Sequence, residues 1–243
     1  MTHKTKGIVL RTVKYGETSL VVTVFTELFG VQTYMVNGVR TVKKTAAKAN
    51  YFQPAAILEL VVYHSESRAM QRIKEFGWGY LYNDVLTSVI KNSIASYIVE
   101  LLYKCLKQPE AHAQMFHFCE DALIQLDKSN KKTAANFPVF FALHLPYFLG
   151  FRITDNHDGE NVFLDLEEGV FVDHQPVHPH FIAGEAAAIT SQLLKVMQPY
   201  ETEVLNLNHL VRRQLLLHYQ DYYALHIPEF GQMKTLQVLH EVL

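Results

Sequence analysis

Arg40, Lys43, Lys44 and Lys48 gather four positive charges behind an apolar, alternating run and between two tyrosines, Tyr34 and Tyr51. Cations at this density neutralise phosphates, and aromatic rings beside them can stack on bases. The chemistry is that of holding a nucleic-acid strand without reading its sequence. Two further cations, Arg11 and Lys14, sit on the first apolar run, where strand alternation is taken to set them on a different face from Val9 and Val13. A charge run by itself is usually a solvated surface. The position of this one, directly after a third strand where a small barrel opens its binding face, gives it more weight. Tyr34 reads as a residue of the barrel rather than a stacking platform.

A second group of chemistry-bearing residues lies further along: His157, Asp173, His174, His178 and His180. They are the conceivable ligands of a metal, but the paired-cysteine spacing of a structural zinc site is absent, and Pro176 and Pro179 suggest an extended, solvent-facing stretch. No metal and no other cofactor is expected. The segment Thr154–Asp165 sets Gly159 where a calcium loop needs glycine, yet it begins with Thr and ends with Asp where Glu is required. No phosphate-binding GxxxxGK[ST], no H-E-x-x-H and no G-x-S-x-G occurs, and the scattered carboxylates of 155–173 pattern as a solvated acidic face. These absences favour a binding protein over an enzyme.

The elements that must position these residues change period once. Lys6–Tyr15, Ser19–Thr26 and Gly30–Val39 are β-branched and aromatic runs parted by Gly16-Glu17-Thr18 and Leu28-Phe29-Gly30, which predicts a meander. Thr41–Phe52 predicts a loop or short helix, and Ile57–Ser65 and Met70–Phe76 two further strands. Five strands with a break after the third match the OB-fold; a barrel of SH3 type is the alternative. From Leu81 the apolar spacing becomes helical through Val85, Val89, Ile94, Ile98 and Leu102. Helices are predicted at Ala111–Leu126, at Asn136–Leu149 with Pro146 bending or ending it, and at Ala183–Met197, Val204–Ala224 and Met233–Val242. Between them, VFLDLEEGVFVDHQPVHPH predicts a two-stranded hairpin turning at Glu167-Glu168-Gly169, which buries Val162, Phe163, Leu164, Val170, Phe171 and Val172. The fold class is therefore α+β: a five-stranded OB-fold domain over 1–80, then a helical domain over 81–243 with a hairpin insertion at about 152–181.

Charge divides along the same line. Residues 1–78 carry eleven Lys/Arg against five acids, residues 79–150 six against six, and residues 151–243 five against thirteen. A basic β-module joined to an acidic helical body is the footprint of a protein with one end for phosphates and the other for protein partners. Cys105 and Cys119 lie in apolar helical patterns and read as small reduced hydrophobes rather than a disulfide. The opening MTHKTKGIVLRT has too short an apolar run for a signal peptide, and no stretch is apolar enough to span a membrane. A cytoplasmic, nucleoid-associated protein with no membrane partner is expected.

The string K-T-K-G-I-V-L-R-T…Y-G-E-T-S-L-V-V-T-V-F-T…F-G-V…V-N-G-V-R closely resembles the opening of bacterial RecO, the recombination mediators. Gln53-Pro54 before LELVVYH, the Glu75 segment, Asn136-Phe137 through Leu149-Gly150-Phe151, and Lys234-Thr235-Leu236 extend the resemblance over essentially the whole chain. It implies binding of single- and double-stranded DNA and annealing of strands coated with single-strand-binding protein. It also implies action with RecR to replace that protein by RecA. The acidic, apolar tail of single-strand-binding protein would need a groove on the helical body, with Lys131-Lys132 or Arg212-Arg213 as its charge partners. Many RecO proteins carry a four-cysteine zinc site after the Gly-Phe that ends the buried helix; residues 152–181 here hold no cysteine. The alternative is a general OB-fold nucleic-acid adaptor, RNA- or translation-associated, with a helical scaffold.

Overall fold

A computed structural model describes residues 2–39 and 46–243. The β-branched runs form strands β1 (Thr2–Tyr15), β2 (Ser19–Thr26) and β3 (Gly30–Val36), and β4 (Ile57–Tyr63) and β5 (Gln71–Tyr80) follow a short helix α1 (Ala46–Ala49) and a 3₁₀ turn (Asn50–Phe52). The strands close into the expected five-stranded barrel in the order β1-β2-β3-β5-β4, with every pairing antiparallel except β3–β5. Alternating residues Leu20, Val22 and Val24 of β2, Tyr34 and Val36 of β3, and Leu58, Leu60 and Val62 of β4 fill its interior. The β2–β3 turn is tied by Thr26, whose hydroxyl donates to the Gly30 carbonyl and accepts the Phe29 N–H. Gly30 is required there: its φ is +61° and a Cβ would lie 2.1 Å from the Glu110 carbonyl oxygen.

The helical period yields α2 (Val89–Cys105), α3 (Ala113–Lys128), α4 (Lys131–His144), α5 (Pro146–Leu149), α6 (Gly184–Leu194), α7 (His209–His226) and α8 (Lys234–Val242). Pro146 does end a helix, becoming the first residue of α5. The helix expected from Leu81 begins only at Val89. The intervening backbone is held otherwise: the buried Asp127 carboxylate accepts the N–H groups of Asn83, Asp84 and Val85 at 3.0, 2.8 and 2.9 Å and the Tyr80 hydroxyl at 3.1 Å. A side chain that satisfies three successive N–H groups competes directly with a helical turn. No helix among the described residues is long and apolar enough to cross a membrane.

The chain forms two compact units, residues 1–87 with 98–127, and residues 88–97 with 128–243. In the second, α4 packs on α6, α7 and the 3₁₀ turn Pro199–Val204 around Phe137, Phe141, Leu215, Tyr219 and Tyr223. Strands β6 (Phe163–Asp165) and β7 (Val170–Val172) form the expected hairpin, with Asp165 opposite Val170. A third strand, β8 (Phe181–Ile182), pairs with the other edge of β6, so the insertion is a three-stranded sheet. Only Leu164 and Phe171 of the six expected apolar residues are fully buried; a three-stranded sheet with one covered face shelters alternate side chains alone.

Candidate nucleic-acid interface

Strand β5 reads QRIKEFGWGY, and its pairing explains the site. It meets β3 only at Tyr34–Gln71 and Met35–Arg72, whereas it follows β4 along nearly its whole length. The β4–β5 register shifts between Val61 and Val62, which face Glu75 and Ile73, so Lys74 is an extra residue on β5. Such a bulge resets the alternation. Ile73, Phe76 and Trp78 all pack on the barrel core, and Arg72, Lys74 and Glu75 are exposed.

Where β3 and β5 part, they leave an open cleft of about 270 Å³. Lys48, Arg72, Lys74 and Asn37 line it together with the half-buried Ile73 and Phe76, while Val36 and Val39 beside them are buried. Phe76 continues into an aromatic ladder: its ring centroid is 5.3 Å from that of Tyr51, which stacks on Trp78 at 4.4 Å and 21°. A second cleft, about 430 Å³, shares Arg72 and adds Arg68, Tyr63 and His64. The loop that carries Arg68 is fixed by buried Gln71, whose amide donates to the Ser65 and Arg68 carbonyls and accepts the Ser65 N–H. Arg68, Arg72, Lys74 and Lys48 thus border two clefts that meet at Arg72. Lys74 also pairs with Glu75 at 3.2 Å on the open surface.

Of the six cations singled out from sequence, Lys48 belongs to this cleft. Arg40, Lys43 and Lys44 lie outside the described residues. Arg11 and Lys14 are on β1, which pairs with β2 and β4 and not with β3 or β5. Arg11 donates to the Tyr103 hydroxyl at 3.0 Å, with its guanidinium 5.6 Å from that ring's centroid. The expected separation of Arg11 and Lys14 from Val13 does not hold. Val13 is itself exposed, because the β1–β2 register shifts between Val9 and Arg11 and β1 leaves the covered face. Tyr34 is fully buried in the barrel, and burial pushes its hydroxyl pKa up; it is a core residue, as read. Arg68, Arg72 and Lys74 were missed as a group. The interleaving of cations and apolar residues in RIKEFGW was the available signal.

Elsewhere in the barrel's unit, Lys6 donates to Glu120 of α3 at 2.9 Å, and that hydrogen bond raises the lysine's pKa against the opposing effect of burial. Burial likewise pushes the thiols of Cys105 and Cys119 up. In the second unit Arg212 donates to the carbonyls of Leu207 and Leu243 and lies against Asn136, so of the expected pair Arg212-Arg213 it is Arg213 that stands exposed. Lys131 and Lys132 are exposed at the start of α4. His178 is not solvent-facing: one ring nitrogen is 3.1 Å from Asp165 and the other 3.6 Å from Glu167. Residues 152–181 do not make a zinc-binding donor set. They have no cysteine, and among the described residues no three His, Cys, Asp or Glu side chains are grouped so that they could hold one metal ion.

The family model described as Recombination protein O N terminal matches residues 1–78, and that described as Recombination protein O C terminal matches residues 86–235. Proteins named DNA repair protein RecO are similar over the full length. That of Flavobacterium psychrophilum is 33% identical over 244 residues, and that of Phocaeicola vulgatus is 31% identical over 243. That of Azobacteroides pseudotrichonymphae is 30% identical over 247 residues. In each case 100% of this chain and 99% of the relative are covered.

Proposed function

The chain belongs to the Recombination protein O family of DNA repair proteins, and from that premise we propose that it is a non-catalytic recombination mediator. In this reading the barrel, residues 1–80, binds single- and double-stranded DNA and anneals complementary strands coated with single-strand-binding protein. With RecR it helps RecA replace that protein, in the cytoplasm and on the nucleoid. The observation that carries the reading is the cation-bordered cleft between β3 and β5. Lys48, Arg72 and Lys74 offer charge to phosphates beside the half-buried Phe76, on a barrel of the kind that holds single strands. Exchange of one strand-bound protein for another needs competition for phosphates and a grip on the protein being displaced, and neither requires nucleotide hydrolysis.

The helical residues 81–243 supply the second grip. The acidic, apolar tail of single-strand-binding protein needs an apolar pocket edged by cations, and with Arg212 engaged internally the cationic edge rests on Lys131 and Lys132, with the exposed Arg213 as the alternative. The deciding experiment is annealing of complementary strands pre-coated with single-strand-binding protein, by the full chain and by a K131E/K132E variant. The expected result is acceleration by the full chain and loss of it by the variant on coated strands only. A protein that binds RNA as well as DNA and leaves coated strands unannealed would be a general nucleic-acid adaptor instead.

A further inference from the structure

We propose that the solvent face of α7 is an interface between two copies of this chain, packed antiparallel about a two-fold axis at Leu217. The helix is anchored by its inner face: Leu215, Leu216, Tyr219, Tyr222 and Tyr223 are buried, and the Tyr223 hydroxyl donates to the Ala142 carbonyl at 2.9 Å. Its first turn is fixed by Asn208, whose side chain accepts the Val211 N–H at 3.0 Å. The outer face of such a helix is ordinarily polar, yet Leu210 is 65% exposed and Leu217 42% exposed. A single exposed leucine is unremarkable. These two share the middle of the solvent face at a seven-residue spacing, and exposed Ala224 continues the stripe at the same interval.

The charges beside the stripe identify what covers it. Arg213 and Asp221 are both exposed, and among the described residues neither has a hydrogen bond or an ion pair. They stand four residues before and four residues after Leu217, so Arg213, Leu217 and Asp221 form one i, i+4 row. Helices most often pack with such rows side by side. Two copies of this row laid antiparallel set Leu217 against Leu217 and bring Arg213 of each copy to Asp221 of the other, twice by symmetry. A parallel pair would set Arg213 beside Arg213 and Asp221 beside Asp221, so the charges select the antiparallel arrangement. The face is complementary to itself. One helix face buries less than the roughly 1,200–2,000 Å² of a standard interface, so the dimer is a weak and reversible one. Two such copies carry two barrels, and pairing complementary strands requires both strands to be held at once. That consequence rests on the nucleic-acid reading above; the self-association does not.

Sedimentation equilibrium of the full chain tests the interface. Residues 151–243 carry five basic and thirteen acidic residues, which opposes the approach of two copies. The measurement is therefore made at about 0.15 M salt, where charges more than ~8 Å apart are largely screened. A monomer–dimer equilibrium is expected. An exposed ion pair is worth about 2-fold, reversal replaces it by a repulsion of like size, and symmetry counts it twice, so Arg213→Asp and Asp221→Arg should each weaken the dimer about 15-fold. The double exchange should restore it. The two single variants, mixed, should associate with each other, since one offers only carboxylates and the other only guanidiniums at these positions. Leu217→Glu should be monomeric with a native-like melt. A chain that stays monomeric at its highest soluble concentration, a dimer indifferent to these exchanges, or mixed single variants that remain apart would each overturn the proposal. So would an acidic, apolar-ended peptide that binds this face of a monomeric chain and is lost with Arg213→Asp but not with Asp221→Arg. Strand pairing reads the consequence: Leu217→Glu should slow annealing with affinity for one labelled strand unchanged, and equal annealing would overturn the role of two holders. A chain that binds no strand would remove the nucleic-acid reading and leave the dimer standing.

Discussion

Replacement of Lys48, Arg72 and Lys74 by alanine provides the sharpest quantitative test of the barrel's role. All three side chains are exposed, so their truncation leaves the packed interior alone. On single strands each lost phosphate contact lowers the log–log salt slope by about 0.7. Lys74 is shared with Glu75 at 3.2 Å, so the three cations amount to between two and three contacts. The slope should fall by roughly 1.4 to 2.1 in magnitude. At 0.1 M monovalent salt that corresponds to a loss of about 25- to 120-fold in affinity, shrinking to roughly 3- to 4-fold at 0.5 M as counterion release weakens.

Fluorescence anisotropy of a labelled strand at five or six salt concentrations measures both quantities. Glu75→Gln is the opposite-sign control: it releases Lys74, so affinity should rise and the slope steepen by up to one contact. A loss that stayed constant across salt would mean that packing rather than charge had been removed. An unchanged slope would mean that DNA binds elsewhere on the molecule, and the same assay on Arg40, Lys43 and Lys44 would then be the next comparison.

Two further outcomes follow from the chemistry of single residues. Burial alone would raise the Asp127 carboxyl, but the N–H groups of Asn83, Asp84 and Val85 and the Tyr80 hydroxyl outweigh it and hold its pKa below the ordinary carboxylate range. Its contribution is therefore full above the unfolded value of about 3.9 and lost as pH falls through the folded one. Asp127→Asn should destabilise by about 2–3 kcal/mol at pH 7 with the deficit closing toward pH 3, and a deficit independent of pH in thermal melts would contradict this. Because residues 152–181 lack a zinc-binding donor set, purified protein should hold no stoichiometric zinc and chelators should leave its melting temperature unchanged; about one zinc per chain by elemental analysis would contradict that.

Most of the architecture was legible because period-2 and period-3.6 apolar spacing report burial directly. Ser19–Thr26 coincides with β2 at both ends, and the hairpin turn at Glu167–Gly169 lies where its residues placed it. What escaped were features made by residues far apart in sequence. The stretch 81–88 has helical spacing, yet it is claimed by Asp127, more than forty residues away. Strand β8 exists only because β6 has a second edge to fill. The same limit hid the cations that border the cleft. Strict alternation through Arg72-Ile73-Lys74-Glu75-Phe76 puts Phe76 on the face of Arg72 and Lys74, and only the register shift against β4 sends Phe76 inward.

That shift makes a prediction of its own. With Lys74 removed, Arg72-Ile73-Glu75-Phe76-Gly77-Trp78 alternates without a bulge, keeping Ile73, Phe76 and Trp78 on the core face. Deletion of Lys74 should therefore fold. The pairing of β3 with β5 stops at Met35–Arg72, two residues before the extra one, and the bulge lies on the stretch of β5 that borders the cleft. Lys74→Ala removes one charge and keeps the bulge, which should cost at most one phosphate contact, roughly 5-fold at 0.1 M salt. The deletion removes the same charge and straightens that stretch of β5, so its loss on single strands should exceed that of the alanine variant, with the excess insensitive to salt. Matching affinities for the two variants, both with native-like melts, would show that the opening between β3 and β5 does not depend on the bulge.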